Sequence, residues 1–378
     1  MGAVQVDLFR VPMGSPGDMS GLQRLIDERA FDPRNIVAIL GKTEGNGGVN
    51  DFTREYASRS FASTLAPYFG CTAAEVEERV ALVMSGGTEG VLSPHASIFV
   101  RHQVAAKAEA ETETETEFGK RLAVGVAHTR DFMPEELGRG PQIDATAEAV
   151  RRAMGDARID SIADVHFVQV KCPLLTLERI EAAHRRGRAP VTEDPYASMA
   201  YSRGASALGV ALALGEIAGP VADAAVLHDW SLYSAVASAS AGVELKRSVV
   251  VVMGNAAAAA GDNVISHSVM RDALDLRGVL DAFRETGLDP LHGAPADVSV
   301  FAKAEPSPDG RIRGWRHTML DDSDINPTRH ARAAVGGLIA GVCGSGAIYV
   351  SGGAEHQGPA GGGPVAVVAR PHRWAGGP

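Results

Sequence analysis

The apolar residues of this chain fall into short runs that each stop at one polar residue. Three runs end in lysine: Ile36–Gly41 before Lys42, Val165–Val170 before Lys171, and Val298–Ala302 before Lys303. Three others end in serine: Val80–Met84 before Ser85, Ser234–Ala239 before Ser240, and Ala347–Val350 before Ser351. Short aliphatic runs bounded by glycine and polar residues predict buried strands. Lysine precedes serine by 43, 69 and 48 residues, which leaves room for helices in between. There a Ser/Thr-Arg pair opens a small-residue stretch with helical spacing: Thr53-Arg54, Ser202-Arg203 and Thr328-Arg329. The order Lys, Arg, Ser therefore recurs three times. One trio would mean little among 36 basic residues, but three in register mark an internal triplication.

The other elements fit around this frame. The first third predicts a strand at Val4–Val11 and a helix near Gly21–Ala30, with Asp18 or Ser20 as its cap. A helix over Asp51–Tyr68, a short acidic helix over Thr72–Arg79 and a strand at Ser97–Arg101 follow. The second third predicts a strand at Leu122–Ala127 and helices at Ala145–Met154, Leu175–Arg185 and Arg203–Ile217. Its serine strand is expected to pair with Val249–Met253. The last third predicts helices near Met270–Thr286 and Thr328–Ala340, a turn at Asp309-Gly310 and a strand at Val365–Ala369. Strands with helices on one face give the α+β class. The architecture expected is three structurally similar repeat domains, residues 1–104, 121–255 and 256–378, around a pseudo-three-fold axis. The segment 105–120 contains the run Glu-Ala-Glu-Thr-Glu-Thr-Glu-Thr-Glu, which alternates charged and polar residues, so it reads as a solvated linker.

Composition narrows the function. A net charge of −10 with dispersed basic residues argues against nucleic acid as a partner. No apolar run approaches the length of a membrane span, and no charged segment followed by an apolar one opens the chain. A cytoplasmic location is expected. Cys71, Cys172 and Cys343 lack metal spacing and read as reduced thiols. Neighbours on a strand face opposite ways, so Cys172 should point away from any site that holds Lys171.

The strongest chemical signal is Ser85-Gly86-Gly87-Thr88-Glu89, repeated as Ser351-Gly352-Gly353-Ala354-Glu355, with Ser240-Ala241-Gly242-Val243-Glu244 between them. A serine hydroxyl needs a base before it can attack. His95 and His356 follow their serines at ten and five residues, and the middle copy has no counterpart to either. A histidine-based triad is therefore disfavoured. Lysine can serve as base when burial and nearby cations lower its pKa. A site with three-fold pseudo-symmetry suits a small planar ring with three carbonyls alternating with three N–H groups. Arginine forks can grip the carbonyls. Backbone N–H groups after the serines can take up oxyanion charge, so Gly86, Ala241 and Gly352 join the candidate substrate contacts. Leu40-Gly41-Lys42-Thr43 is no phosphate loop, because the glycine needed upstream is Ile36. Glu305 lies two residues beyond Lys303, and the glycine-rich turn through Gln357-Gly358-Pro359 and 361–363 is rich in free carbonyls. That donor set suits Mg²⁺ or Ca²⁺.

Three stretches resemble the cyanuric acid hydrolase and barbiturase family: Gly41-Lys42-Thr43-Glu44-Gly45-Asn46-Gly47-Gly48-Val49-Asn50-Asp51, Met84-Ser85-Gly86-Gly87-Thr88-Glu89-Gly90-Val91-Leu92-Ser93-Pro94-His95, and Ser351-Gly352-Gly353-Ala354-Glu355-His356-Gln357-Gly358-Pro359. The resemblance covers the chain apart from the acidic insert. It implies three similar domains, hydrolytic opening of a cyclic amide and no organic cofactor. It also implies the pairs Lys42 with Ser85, Lys171 with Ser240, and Lys303 with Ser351, with Arg54, Arg203 and Arg329 holding substrate. The family's reactive pair sits in the second repeat, which nominates Ser240 as nucleophile and Lys171 as base, with Ser238 as a further contact. A structural cation is implied at Glu305 and the backbone of Ala354, Gln357, Pro359 and Gly362, and a tetramer is expected. The favoured substrate is cyanuric acid, opened to carboxybiuret and then biuret and CO₂. Barbituric acid is the alternative substrate. A non-catalytic binding protein on the same scaffold is the alternative of another class, opposed by the intact lysines and serines.

Overall fold

The computed structural model describes residues 2–104, 119–290 and 298–370, so the expected acidic linker lies almost wholly outside them. Three four-stranded sheets repeat one plan. The first holds β1 (Ala3–Pro12), β2 (Ile36–Thr43), β3 (Ala81–Gly86) and β4 (His95–Val104). The second holds β5 (Arg121–His128), β6 (Val165–Pro173), β7 (Ala237–Gly242) and β8 (Val249–Ala256). The third holds β9 (Val264–Met270), β10 (Ser299–Ala304), β11 (Tyr349–Gly352) and β12 (Gly363–Ala369). Strand orders are β3-β2-β4-β1, β7-β6-β8-β5 and β11-β10-β12-β9, the same order three times. A short segment, Ala259–Ala260, adds to the free edge of β1.

In each sheet the lysine strand runs parallel to the serine strand. A parallel pair needs a long crossover, and a helix supplies it each time. These helices are α2 (Phe52–Phe69), α6 (Pro195–Ala213) and α8 (Pro327–Cys343), and each is capped by the side chain of an Asp or Asn. Other helices accompany them: the long α4 (Gly140–Ala157) and the shorter α1 (Ser20–Asp27), α3 (Ala73–Arg79), α5 (Leu177–Arg185) and α7 (Leu276–Arg284). One face of each sheet packs on its own helices through a local core. The other faces meet in one shared core, where Leu40, Phe99, Phe167, Val251, Phe301 and Tyr349 pack together. Phe301 is the hub, with its ring centroid 6.0 Å from that of Phe99 and 5.7 Å from that of Phe167. The sheets therefore share one axis.

Several expectations change. The serine strand β7 does not pair with β8, because β6 lies between them. The α6 helix starts at Pro195, not Arg203, because Asp194 caps it and proline suits its first turn. Most of the residues before α7 expected to be helical are strand or turn instead, and Met270 ends β9.

Candidate functional site

The registers of the three parallel pairs place Lys42 opposite Ser85, Lys171 opposite Ser240, and Lys303 opposite Ser351. Partners in register share one sheet face, so each lysine and serine emerge together at the axial end of their strands. All three lysines are buried. Lys42 Nζ lies 3.1 Å from Ser85 Oγ, and Lys303 Nζ 3.1 Å from Ser351 Oγ. Ser85 Oγ lies 3.4 Å from Ser351 Oγ. The second pair differs: Lys171 donates 2.7 Å to the Met84 carbonyl and lies 3.3 Å from the Glu244 carboxylate. Among the described residues no hydrogen bond joins Lys171 to Ser240.

Burial lowers all three lysine pKa values. Lys42 falls well below its ordinary value, with the Arg332 cation adding to burial. Lys303 falls to about 7, pushed by burial and then by Arg203. Lys171 is lowered by burial, while Glu244 opposes the shift. Lowering of this kind favours the neutral amine, the form that can act as a base.

One cavity joins Ser85, Ser240 and Ser351 with Gly86, Ala241, Gly352, Lys171, Arg54 and Arg203. Gly47 and Met199 complete its wall together with Arg332, an arginine the sequence reading did not select. Arg329 lies outside it. The Arg329 side chain is 43% exposed against 5% for Arg332, and both pair with Glu89. On α8 these residues stand almost one turn apart, and only the inner one reaches the serines. A wider depression of about 530 Å³ shares Gly47, Met199, Arg203, Arg332 and Gly352 with the cavity and extends past Tyr196, Asn326 and Arg329.

Two of these arginines are placed by the glutamates closing the first and third serine motifs. Glu89 accepts two bonds from Arg332, at 2.7 and 2.6 Å, and Glu355 accepts two from Arg203, at 2.8 and 2.5 Å. Both are fork-to-fork contacts between different repeats. Burial works against the charge of Arg203, but Glu355 outweighs it and raises the pKa. The recurring glutamate was visible in the motif; its partner across the axis was not.

Ser238 is fully buried beneath the site and donates 2.7 Å to Gln169 Oε1, so it does not line the cavity. Gln169 Nε2 in turn lies 3.5 Å from Ser240 Oγ. Tyr349 is buried against the same floor, with the Lys42 ammonium 5.8 Å from its ring centre. His95 is buried on β4, in register with Lys42 of the adjacent β2 and outside the cavity lining, and burial lowers its pKa to about 4. His356 bonds Leu227 N and Leu232 O and so ties down a loop. Cys172 belongs to the core of the second repeat, away from the cavity.

The expected cation donors also come together. Burial and then Glu355 push Glu305 up to about 7. Its Oε2 accepts from Gly353 N at 2.8 Å. Glu305, Ala354, Glu355, Gly358 and Gly361 line one pocket. The Ala354 and Pro359 carbonyls accept turn bonds from Gln357 N and Gly362 N, and an oxygen retains a second lone pair for a cation. The Gln357 side chain is occupied by Ala239 N, Gly353 O and Glu355 O. Among the described residues no three His, Cys, Asp or Glu side chains cluster as metal ligands. Any cation here would rest on one carboxylate and backbone oxygens.

Comparison with known proteins gives consistent results. A family model described as amidohydrolase ring-opening protein matches residues 7–370. A protein of Bradyrhizobium diazoefficiens named cyanuric acid amidohydrolase is 58% identical, with 98% of this chain and 99% of that one covered. One of Pseudomonas sp. (strain ADP) with the same name is 57% identical, covering 97% and 99%. A solved structure described as cyanuric acid hydrolase matches with a TM-score of 0.90 and 55% identity, covering 97% of this chain and 100% of that one. The cyanuric acid hydrolase structure from A. caulinodans matches with a TM-score of 0.89 and 50% identity, covering 98% and 100%.

Proposed function

The chain belongs to the ring-opening amidohydrolase family, and on that premise we propose that it hydrolyses cyanuric acid with Ser240 as nucleophile and Lys171 as base. The observation that carries this is the convergence of the serines of three in-register Lys–Ser pairs on one small cavity, together with Lys171 and three arginines, while Lys42 and Lys303 stand behind their serines outside its lining. A ring with three alternating carbonyls matches that arrangement. Arg54, Arg203 and Arg332 would grip the carbonyl oxygens, with Ser85 and Ser351 orienting the ring.

Lys171 takes the Ser240 proton as Oγ bonds to a ring carbonyl carbon. The oxyanion is taken up by backbone N–H groups at the ends of the serine strands. The ring C–N bond then breaks, and Lys171 returns the proton to the leaving nitrogen. Water releases the acyl group as carboxybiuret, which loses CO₂ to give biuret. The second repeat is favoured because its lysine has a carboxylate partner and its serine rests on polar Gln169 and Ser238. The matching floor residues are Leu40 and Val83 in the first repeat, Phe301 and Tyr349 in the third.

Glu305 with carbonyls of the loop around Ala354, Gln357, Pro359 and Gly362 is proposed to hold Mg²⁺ or Ca²⁺. A bound cation would offset the charge that Glu305 and Glu355 crowd together, and thereby hold the third serine loop. A homotetramer in the cytoplasm is proposed from the family resemblance, and no described helix is long and apolar enough to cross a membrane.

The test is turnover of cyanuric and barbituric acid in parallel, with products identified by mass spectrometry. Biuret from cyanuric acid, abolished in Ser240→Ala, is the expected result. Turnover of barbituric acid alone would reassign the substrate. Full activity in Ser240→Ala would move the nucleophile to another repeat.

A further inference from the structure

The three serine motifs end in the same residue, yet their glutamates are used differently. Glu89 and Glu355 each grip an arginine of a neighbouring repeat with both oxygens. By the same cyclic rule Glu244 should grip Arg54. It does not. Its carboxylate lies 3.3 Å from Lys171, its Oε2 is buried without a hydrogen-bond partner, and Arg54 Nε is likewise buried and unpartnered. Arg54 is held instead by the carbonyls of Ala241, at 2.9 Å, and Gly48, at 2.7 Å.

The backbone explains how this exchange is possible. In the first and third motifs the second glycine has positive φ, 103° at Gly87 and 79° at Gly353, and a guanidinium lies against its Cα. A side-chain carbon built on Gly87 would fall 2.4 Å from Arg332 Nη2, and one on Gly353 2.3 Å from Arg203 Nε. At Gly242 that space is filled by Glu244 itself, whose two carboxylate oxygens would lie 2.4 Å from such a carbon. The second loop has folded its own carboxylate back over the strand end, onto its own lysine.

We propose that Glu244 completes a Ser240–Lys171–Glu244 triad, as the positioning residue that orients Lys171 and stabilises the ammonium formed when Ser240 gives up its proton. This rests on the reading of Ser240 and Lys171 as the reactive pair. The proton moves from Ser240 Oγ to Lys171 Nζ and from there to the leaving ring nitrogen; Glu244 stays ionised throughout. A carboxylate that orients a base and supports its cation is the third member of nucleophile–base–acid systems generally. Among the described residues no carboxylate forms an ion pair with the first or third lysine; their motif glutamates are committed to arginines and act on the lysines from farther away. The triplicated scaffold thus makes one reactive pair and two binding pairs by redirecting one glutamate.

Other charges face this group. Lys171 approaches Glu244 from β6 and Arg54 from α2, and Arg179 of α5 adds a third cation. Glu55, Arg59 and Glu77 share a cavity of about 100 Å³ with Lys171 and Glu244. Cys172 neighbours Lys171 along β6, and its thiol pKa is raised by burial. Glu244 is thus the carboxylate in direct contact with the Lys171 ammonium.

The test is the pH profile of kcat for Glu244→Gln. Neutral Lys171 is the active base, so its pKa sets the acid limb. Loss of a carboxylate at contact distance should move that limb down by about one unit and lower kcat on the order of 10²–10⁴-fold. Glu244→Asp keeps the charge and should recover most of the limb position. Arg54→Gln carries the test if Glu244→Gln does not fold. Without the competing cation the Lys171 pKa rises, so the limb should move up. A fall in kcat with an unmoved limb in these variants would leave Glu244 a structural residue and overturn the triad. Activity surviving in Ser240→Ala would instead overturn the reading beneath it.

Discussion

Lys303 donates 2.8 Å to the carbonyl of Ala239, the residue before Ser240 in the neighbouring repeat. Lys171 does the same to Met84, the residue before Ser85. These site lysines therefore brace the next serine strand as well as belonging to their own pair. Lys303→Met should remove a brace from Ser240 and lower kcat by about 10–100-fold, the size of effect expected when a reacting group is misplaced by about an ångström. Steady-state kinetics decide the matter, since a rise confined to KM would mean that Lys303 acts on its own repeat only.

The arginine trio gives a sharper contrast. Arg332→Met leaves Glu89 buried with only the half-exposed Arg329 beside it. Stripping one partner from a buried pair costs about 3–5 kcal/mol, and Arg329 should hold the loss near the low end. KM should rise strongly as well. Arg329→Ala should change stability by less than about 1 kcal/mol, as half-exposed pairs do. Chemical denaturation and KM for the two variants separate the inner from the outer arginine. Equal effects would refute the placement of Arg332 in the substrate site.

The sequence made the Lys–Ser pairs legible because a buried apolar run cannot end in a charged residue without cause. Each such end fell where the registers now put it. The third arginine was misread because the Ser/Thr-Arg dipeptide was followed, while helix phase decides which side chain faces the axis. Arg332 stands three residues further along α8 and points inward. Its signal was the glutamate recurring four residues after each serine, which needed a partner of opposite charge. Strand β9 was missed because Ser266, His267 and Ser268 interrupt its apolar pattern. Pairing of β7 with β8 looked natural from their closeness in sequence, but the parallel β6–β7 pair took that edge.

Stability should depend on pH with opposite signs on the two sides of neutrality. Burial and the nearby Glu355 raise Glu305 to about 7, so the folded chain holds a proton that the unfolded chain releases near 4.5. That stabilising contribution is complete below about pH 4.5 and is lost as pH rises toward 7. Lys303 is lowered to about 7, so above neutrality the unfolded chain binds the extra proton, and stability rises with pH toward 10.5. Thermal melts of Lys303→Met should lose the alkaline gain, and melts of Glu305→Gln the acid-side decline. Profiles unchanged from wild type in both variants would contradict the assignment.

A cation at Glu305 would reverse the acid-side sign, because it binds the ionised carboxylate and competes with the proton. With chelator present, the melting temperature should decline between about pH 5 and 7 as Glu305 loses its proton. Millimolar Mg²⁺ or Ca²⁺ should raise the melting temperature more at pH 7.5 than at pH 5, since binding to the folded state alone stabilises by mass action. Glu305→Gln should abolish the cation effect while leaving Arg203 paired with Glu355. A cation effect that persists in Glu305→Gln would place the ion elsewhere. No effect in the wild type at either pH would remove the cation from the third loop and leave the raised Glu305 carboxyl as the protonated neighbour of Glu355.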